Sequence, residues 1–158
     1  QGDPTLSGPQ IGYLDAFRDL APEVVPGISS FAAGNAALGC AVTGGSASQS
    51  VILSLGKNAN EGYGGSDRLS VLAQSRSALV LFTMRTDLAR VVAELRAGYP
   101  GDTPAAIVCH AGREARQQVL RATLDTLVEV AGRHELPFEH LVYVGDFLAR
   151  PAGDYQDG

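Results

Sequence analysis

The chain has 158 residues, 45 % of them hydrophobic and 18 % charged, and a formal charge of −5 at neutral pH. That length suits one domain with a core of ordinary size, and the composition matches a globular chain and not a disordered or membrane one. No apolar run reaches the ~18 residues of a membrane span, no signal-peptide pattern opens the chain, and no Lys/Arg cluster offers a footprint for a phosphate backbone; the expectation is a cytoplasmic protein with no membrane and no nucleic acid as partner.

In chain order, Gly2-Asp3-Pro4-Thr5-Leu6-Ser7-Gly8 comes first, a glycine-bounded loop with one carboxylate. Taken alone it reads as an exposed Asp-Pro turn. Glu23-Val24-Val25 has the make-up of a short strand and leads through Pro26-Gly27 into an alanine-rich helix. Ser29 or Ser30 stands at that helix's N-terminus, where a hydroxyl either caps its own helix, the commoner use, or binds a carboxylate. Gly44-Gly45 and Gly62-Tyr63-Gly64-Gly65 mark loops, and Lys57 with Asn58 and Asn60 reads as a solvated one.

Apolar or β-branched runs of strand length follow at residues 50–54, 78–82, 105–109 and 141–144, several of them apolar on both faces. Leu88, Val91, Val92 and Leu95 are spaced by three and four, which puts four aliphatics on one helix face. Thr86 or Asp87 caps its start, and Gly98 with Pro100 ends it. Residues 113–132 are either one long helix or an edge strand at Gln118-Val119-Leu120 followed by a helix through Leu124, Leu127, Val128 and Ala131. Strands buried on both faces and interleaved with amphipathic helices predict a layered α/β domain over residues 1–150, followed by a polar tail at 151–158.

Cys40 and Cys109 read as buried free thiols. His110, His134 and His140 lack metal-ligand spacing with Cys or acidic residues, so no metal is expected. There is no Gly-x-Ser-x-Gly elbow, phosphate-binding Gly-Lys-Ser/Thr loop or dinucleotide fingerprint. The carboxyl ends of the runs Leu81-Phe82-Thr83-Met84 and Ile107-Val108-Cys109-His110-Ala111 are where open α/β sheets present backbone groups to ligands.

In this order, GDPTLSG, EVVPGISSFAAGNAALG, SQSVIL, LVLFTM and DTPAAIVCHA resemble the tetrapyrrole (corrin/porphyrin) methylases, from Gly2 to about Leu148, and most resemble the precorrin-4 C(11) branch. The resemblance implies a layered mixed sheet with flanking helices as the second domain of a two-domain fold. It also implies S-adenosylmethionine folded into the cleft between domains, a homodimer, and C-methylation of a precorrin or cobalt-precorrin. Carried over by motif, the cofactor contacts are Asp3, Leu6, Ser29, Ser30, Met84 and Ala111. Adenine would lie near Met84 and Ala111, and the ribose and methionine parts nearer Asp3 and the serines.

No catalytic residue is assigned, since the sulfonium methyl is already activated and alignment with an electron-rich acceptor carbon is the main task. The chain departs from the family pattern at Ser7, commonly aromatic, at Gly112, often threonine, and by one extra residue before Thr123-Leu124. The family's first domain is not in the sequence, so the expectation is a carboxyl-terminal part that binds the cofactor weakly and is inactive alone. Two alternatives stand beside this reading: a uroporphyrinogen-III methyltransferase, and a non-catalytic dimerisation module with a degenerate cofactor site.

Overall fold

The computed structural model of the chain describes Asp3, Thr5, Leu6 and residues 11–149; Gly2, Pro4, Ser7 and Gly8 of the first loop and the tail at 151–158 lie outside the described residues. Strands β1 (Val51–Leu55), β2 (Ala78–Phe82), β3 (Pro104–Cys109), β4 (Gln118–Thr123) and β5 (His140–Val144) form a sheet in the order β1-β2-β5-β3-β4. β1 is parallel to β2, β5 is antiparallel to both β2 and β3, and β4 is antiparallel to β3. β1, β2 and β3 therefore run one way, and the last strand enters between β2 and β3 from the opposite direction. The helices are α1 (Ile11–Ala16), α2 (Ser30–Leu38), α3 (Leu69–Leu72), α4 (Leu88–Leu95) and α5 (Leu127–Gly132).

The three central strands are apolar on both faces because both faces are covered. Leu79, Leu81, Ile107, Val142 and Val144 pack against Leu69, Val91, Leu95 and Leu127 from α3, α4 and α5. Val80, Ala106, Val108, Leu141 and Tyr143 face the other way, with Leu38 of α2 and with Phe147 and Leu148 of the 3₁₀ turn Asp146–Ala149. On α4 the spacing of three and four is realised: Val91 and Leu95 are fully buried, and Leu88 and Val92 pack partly buried against the same cluster. Asp87 is its cap, the carboxylate accepting from the Ala89 N–H at 2.9 Å, whereas Thr86 turns its hydroxyl back onto the Thr83 carbonyl.

Four expectations resolve differently from one another. Residues 118–123 form the edge strand and not the start of a long helix, in register Ile107↔Leu120, because that pairing buries Leu120 while Gln118 and Arg121 stay at the surface. Leu124 is fully buried just ahead of α5, but Val128, expected on the same face, is 40 % exposed. Glu23-Val24-Val25 is not a strand; among the described residues it has no strand neighbour, and Val25 is 75 % exposed. A strand exists only through pairing, so β propensity alone cannot make one. Asn58, read as part of a solvated loop, is buried, its amide donating to Ser54 Oγ at 3.1 Å and to the Asp67 carboxylate at 2.9 Å.

Two contacts fix α2 on the sheet. The Tyr143 hydroxyl donates to the Phe31 carbonyl at 2.9 Å, beneath Gly34, and burial pushes the phenol's pKa well above its ordinary value. At the other end Arg121 of β4 donates to the Leu38 and Leu148 carbonyls at 3.0 and 3.3 Å. The loop ahead of β1 is held by one carboxylate oxygen, Asp146 Oδ2, which accepts from the Ser46 N–H (2.6 Å), the Ser46 hydroxyl (2.7 Å) and the Ala47 N–H (2.6 Å). Burial pulls the Asp146 pKa upward, but the hydrogen bonds from Ser46 and Ala47 outweigh it and hold the group below its usual value. No helix among the described residues is long and apolar enough to cross a membrane.

Candidate functional site

The sheet topology brings the carboxyl ends of β2 and β3 to one edge, with the start of β5 between them. The N-terminus of α2, together with Asp3 and Leu6, adds to this edge the lining of a cavity of about 470 Å³. Asp3, Leu6, Ser29, Ser30, Met84 and Ala111 all line it. They come from four widely separated stretches of chain.

The Asp3 carboxylate accepts from the Thr5 N–H at 2.8 Å and from the Thr5 hydroxyl, and these bonds lower its pKa, so it is ionised at neutral pH. Beside it Ser29 is the N-cap of α2, its Oγ accepting from the Phe31 N–H at 3.0 Å. Capping uses a lone pair and leaves the hydroxyl hydrogen free to donate. Of the two roles open to this serine, the cap is thus made, and the donor remains. Ser30, in the first helical position, is exposed at the same helix end, where free N–H groups favour an anion.

Strained turns build another part of the lining. Met84 (φ 42°), Arg85 (φ 66°) and His110 (φ 51°) are three of the five non-glycine residues with left-handed backbone among those described, and they sit just past β2 and β3. Such conformations cost about 1–3 kcal/mol each and collect where a site needs them. The β2 turn is locked to β5 by Thr83, buried, whose hydroxyl donates to the His140 carbonyl at 2.7 Å. His140 has its pKa lowered by burial, against a raising contribution from the Pro137 carbonyl 2.9 Å from Nδ1. A carbonyl can only accept, so Nδ1 carries the proton in the neutral ring.

Sequence reasoning missed part of this wall. Arg113 and the segment Pro137, Phe138, Glu139 and His140 all line the cavity. Nothing in the local sequence says that the last strand enters the middle of the sheet, which is what brings that segment here. Cys109 is buried and its thiol pKa is raised by that burial, while Cys40 is half-buried; neither is in a disulfide. Among the described residues no group of three or more His, Cys, Asp or Glu could hold a metal ion. The arrangement suits binding and orienting: a carboxylate, hydroxyl donors, a thioether and apolar walls line one cavity.

The family model of the tetrapyrrole (corrin/porphyrin) methylases matches residues 1–128. The chain belongs to that family. This methylase chain is 33 % identical over 150 residues to the precorrin-4 C(11)-methyltransferase of Pseudomonas aeruginosa, a match covering 94 % of the chain and 59 % of that protein. To the cobalt-precorrin-4 C(11)-methyltransferase of Methanocaldococcus jannaschii it is 30 % identical over 151 residues, covering 93 % and 57 %. Its fold superposes on a crystallographic cobalt precorrin-4 methyltransferase with a TM-score of 0.79 at 25 % identity, over 93 % of the chain and 62 % of that structure. The uroporphyrin-III C-methyltransferase of Thermus thermophilus, solved with S-adenyl homocysteine, has the same fold at a TM-score of 0.70 and 22 % identity, over 94 % of the chain and 64 % of that structure. The layered mixed sheet with flanking helices is that of the tetrapyrrole methylases. The chain spans less than two thirds of the length of these relatives.

Proposed function

We propose that this chain carries the S-adenosylmethionine site of a tetrapyrrole C-methyltransferase acting on a precorrin or cobalt-precorrin in corrin biosynthesis. One observation carries the reading: the six residues matched to the family's cofactor motifs, scattered from Asp3 to Ala111, line a single cavity. Its volume of about 470 Å³ falls in the ~300–1,000 Å³ range of small-molecule sites. The donor set fits the cofactor's chemistry as well. The ionised Asp3 accepts from an ammonium or ribose hydroxyls, Ser29 and Ser30 donate toward a carboxylate at a helix N-terminus, and Met84 and Ala111 offer backbone groups and apolar surface to a base.

When bound, S-adenosylmethionine supplies a methyl group already activated on a sulfonium. The residues here then have one task, to fix the donor so that its methyl meets the acceptor carbon in line. A paired nucleophile and base is not required for that task.

We further propose a homodimer, supported by the exposed apolar residues Tyr13, Phe17, Leu20 and Val25, side chains that a second copy would cover. Two cysteines that form no disulfide suit the reducing cytoplasm. Sedimentation giving a concentration-independent monomer would remove the dimer. For the cofactor, calorimetric titration of S-adenosylhomocysteine is the test: weak, saturable one-site binding is expected. No heat at millimolar ligand would leave the non-catalytic module as the reading. With the family's first domain supplied, transfer of labelled methyl to a precorrin, and not to uroporphyrinogen III, is the outcome expected for the branch.

A further inference from the structure

The segment leading into β5 places a phenylalanine ring on the cavity wall, and that ring is only half covered: Phe138 is 47 % exposed. A large apolar side chain held at a cavity mouth needs a reason to stay there. Arg85 supplies part of it, its guanidinium lying over the ring 4.9 Å from the centroid, a cation–π contact. Arg85 follows Met84 in the strained turn after β2, both with left-handed backbone, so costly backbone geometry is maintained at the point that delivers the cation to the ring.

A guanidinium occupies one face of an aromatic ring and leaves the other. It also draws on the ring's negative potential, which lowers the repulsion between stacked π faces. Met84 and Ala111 line the same cavity, and the Met84 thioether is a favourable neighbour for aromatic rings.

We propose that Phe138, braced by Arg85, is the platform on which the adenine ring stacks, and so a positioning residue for the methyl donor. This rests on the cofactor reading above. Base stacking on an aromatic side chain needs no hydrogen-bond readout, which agrees with a base held otherwise by backbone groups.

The test is calorimetry of S-adenosylhomocysteine and of adenosine against the wild-type chain, Phe138→Leu, Phe138→Tyr and Arg85→Ala, with adenine's ultraviolet band recorded alongside. Phe138→Leu should weaken both ligands about tenfold and abolish the hypochromic change of the bound base, whereas Phe138→Tyr should stay within about twofold of wild type. Arg85→Ala should weaken both ligands by a few fold. All variants should keep the wild-type melting temperature, because the ring is half in water. If the wild type binds and Phe138→Leu binds equally well, or if Tyr fails to rescue, the stacking role is wrong while the cofactor site stands. If the wild type binds neither ligand, the cofactor reading falls and the platform with it.

Discussion

Replacing Gly34 by alanine puts a methyl group where Tyr143 already stands. A Cβ built on Gly34 overlaps the Tyr143 Oη and lies 3.0 Å from Cζ and 3.2 Å from Cε2. The ring cannot swing aside, since Tyr143 is fully buried on the central strand and its hydroxyl is bonded to the Phe31 carbonyl at 2.9 Å. Overpacking of this kind costs about 1–3 kcal/mol, and losing the hydrogen bond from a buried hydroxyl adds about 1. Against these, Gly→Ala within a helix gains about 1 kcal/mol in propensity. The balance is a loss of about 2 kcal/mol, or roughly 4–8 °C in melting temperature for a domain of this size.

Chemical denaturation of wild type, Gly34→Ala, Tyr143→Phe and the double variant gives the coupling directly. Because Phe lacks the atom that overlaps the new methyl, the double variant should be less destabilised than the sum of the singles by about 1 kcal/mol. Gly34→Ala should also weaken S-adenosylhomocysteine binding, because lifting α2 moves Ser29 and Ser30. A neutral or stabilising Gly34→Ala would refute the reasoning, since it would mean that α2 does not rest on the Tyr143 ring.

Ser29→Ala should cost about 1 kcal/mol of stability by loss of the cap, whereas Ser29→Gly should cost only a few tenths. If the hydroxyl also serves the ligand, both weaken S-adenosylhomocysteine equally in calorimetry, and a Gly variant with wild-type affinity would make Ser29 a cap alone. Asp146 has a lowered folded-state pKa, so its contribution is fully present above the unfolded value of about 4 and is lost as pH falls through the folded value. Asp146→Asn should therefore be less stable than wild type by about 1 kcal/mol at pH 7, a figure reduced for partial exposure, with the gap closing below pH ~4. Glu94, lowered by its bonds to Ser70 and Arg68, responds to acid in the same direction in both proteins. A gap that did not depend on pH would show that the charge of Asp146 is not what holds the 46–47 loop.

Strands β2, β3 and β5 were legible because burial on both faces writes an apolar run into the sequence, and α4 because its stripe is interrupted by nothing. The region after His110 was not, since residues 113–132 have helix-compatible composition and only pairing with β3, which sequence does not display, makes 118–123 a strand. Glu23-Val24-Val25 has the residues of a strand but lacks a neighbour among the described residues. At the site, motif recognition reached Asp3, Ser29, Ser30, Met84 and Ala111 because each lies in a short stretch with its own pattern. It could not reach Phe138 or His140, which join the wall through the insertion of β5 between β2 and β3. Nor does a left-handed Met84 or His110 leave a trace, because neither is the glycine that usually marks such a turn.

Met84 is the chain's single methionine and lines the cavity, so isotope labelling of methionine methyls yields one resonance that reports on this wall alone. Titration with S-adenosylhomocysteine should move that resonance saturably, and the same titration of an Asp3→Ala variant should need several-fold more ligand. A Met84 resonance that stays fixed to millimolar ligand would contradict a cofactor site in this cavity.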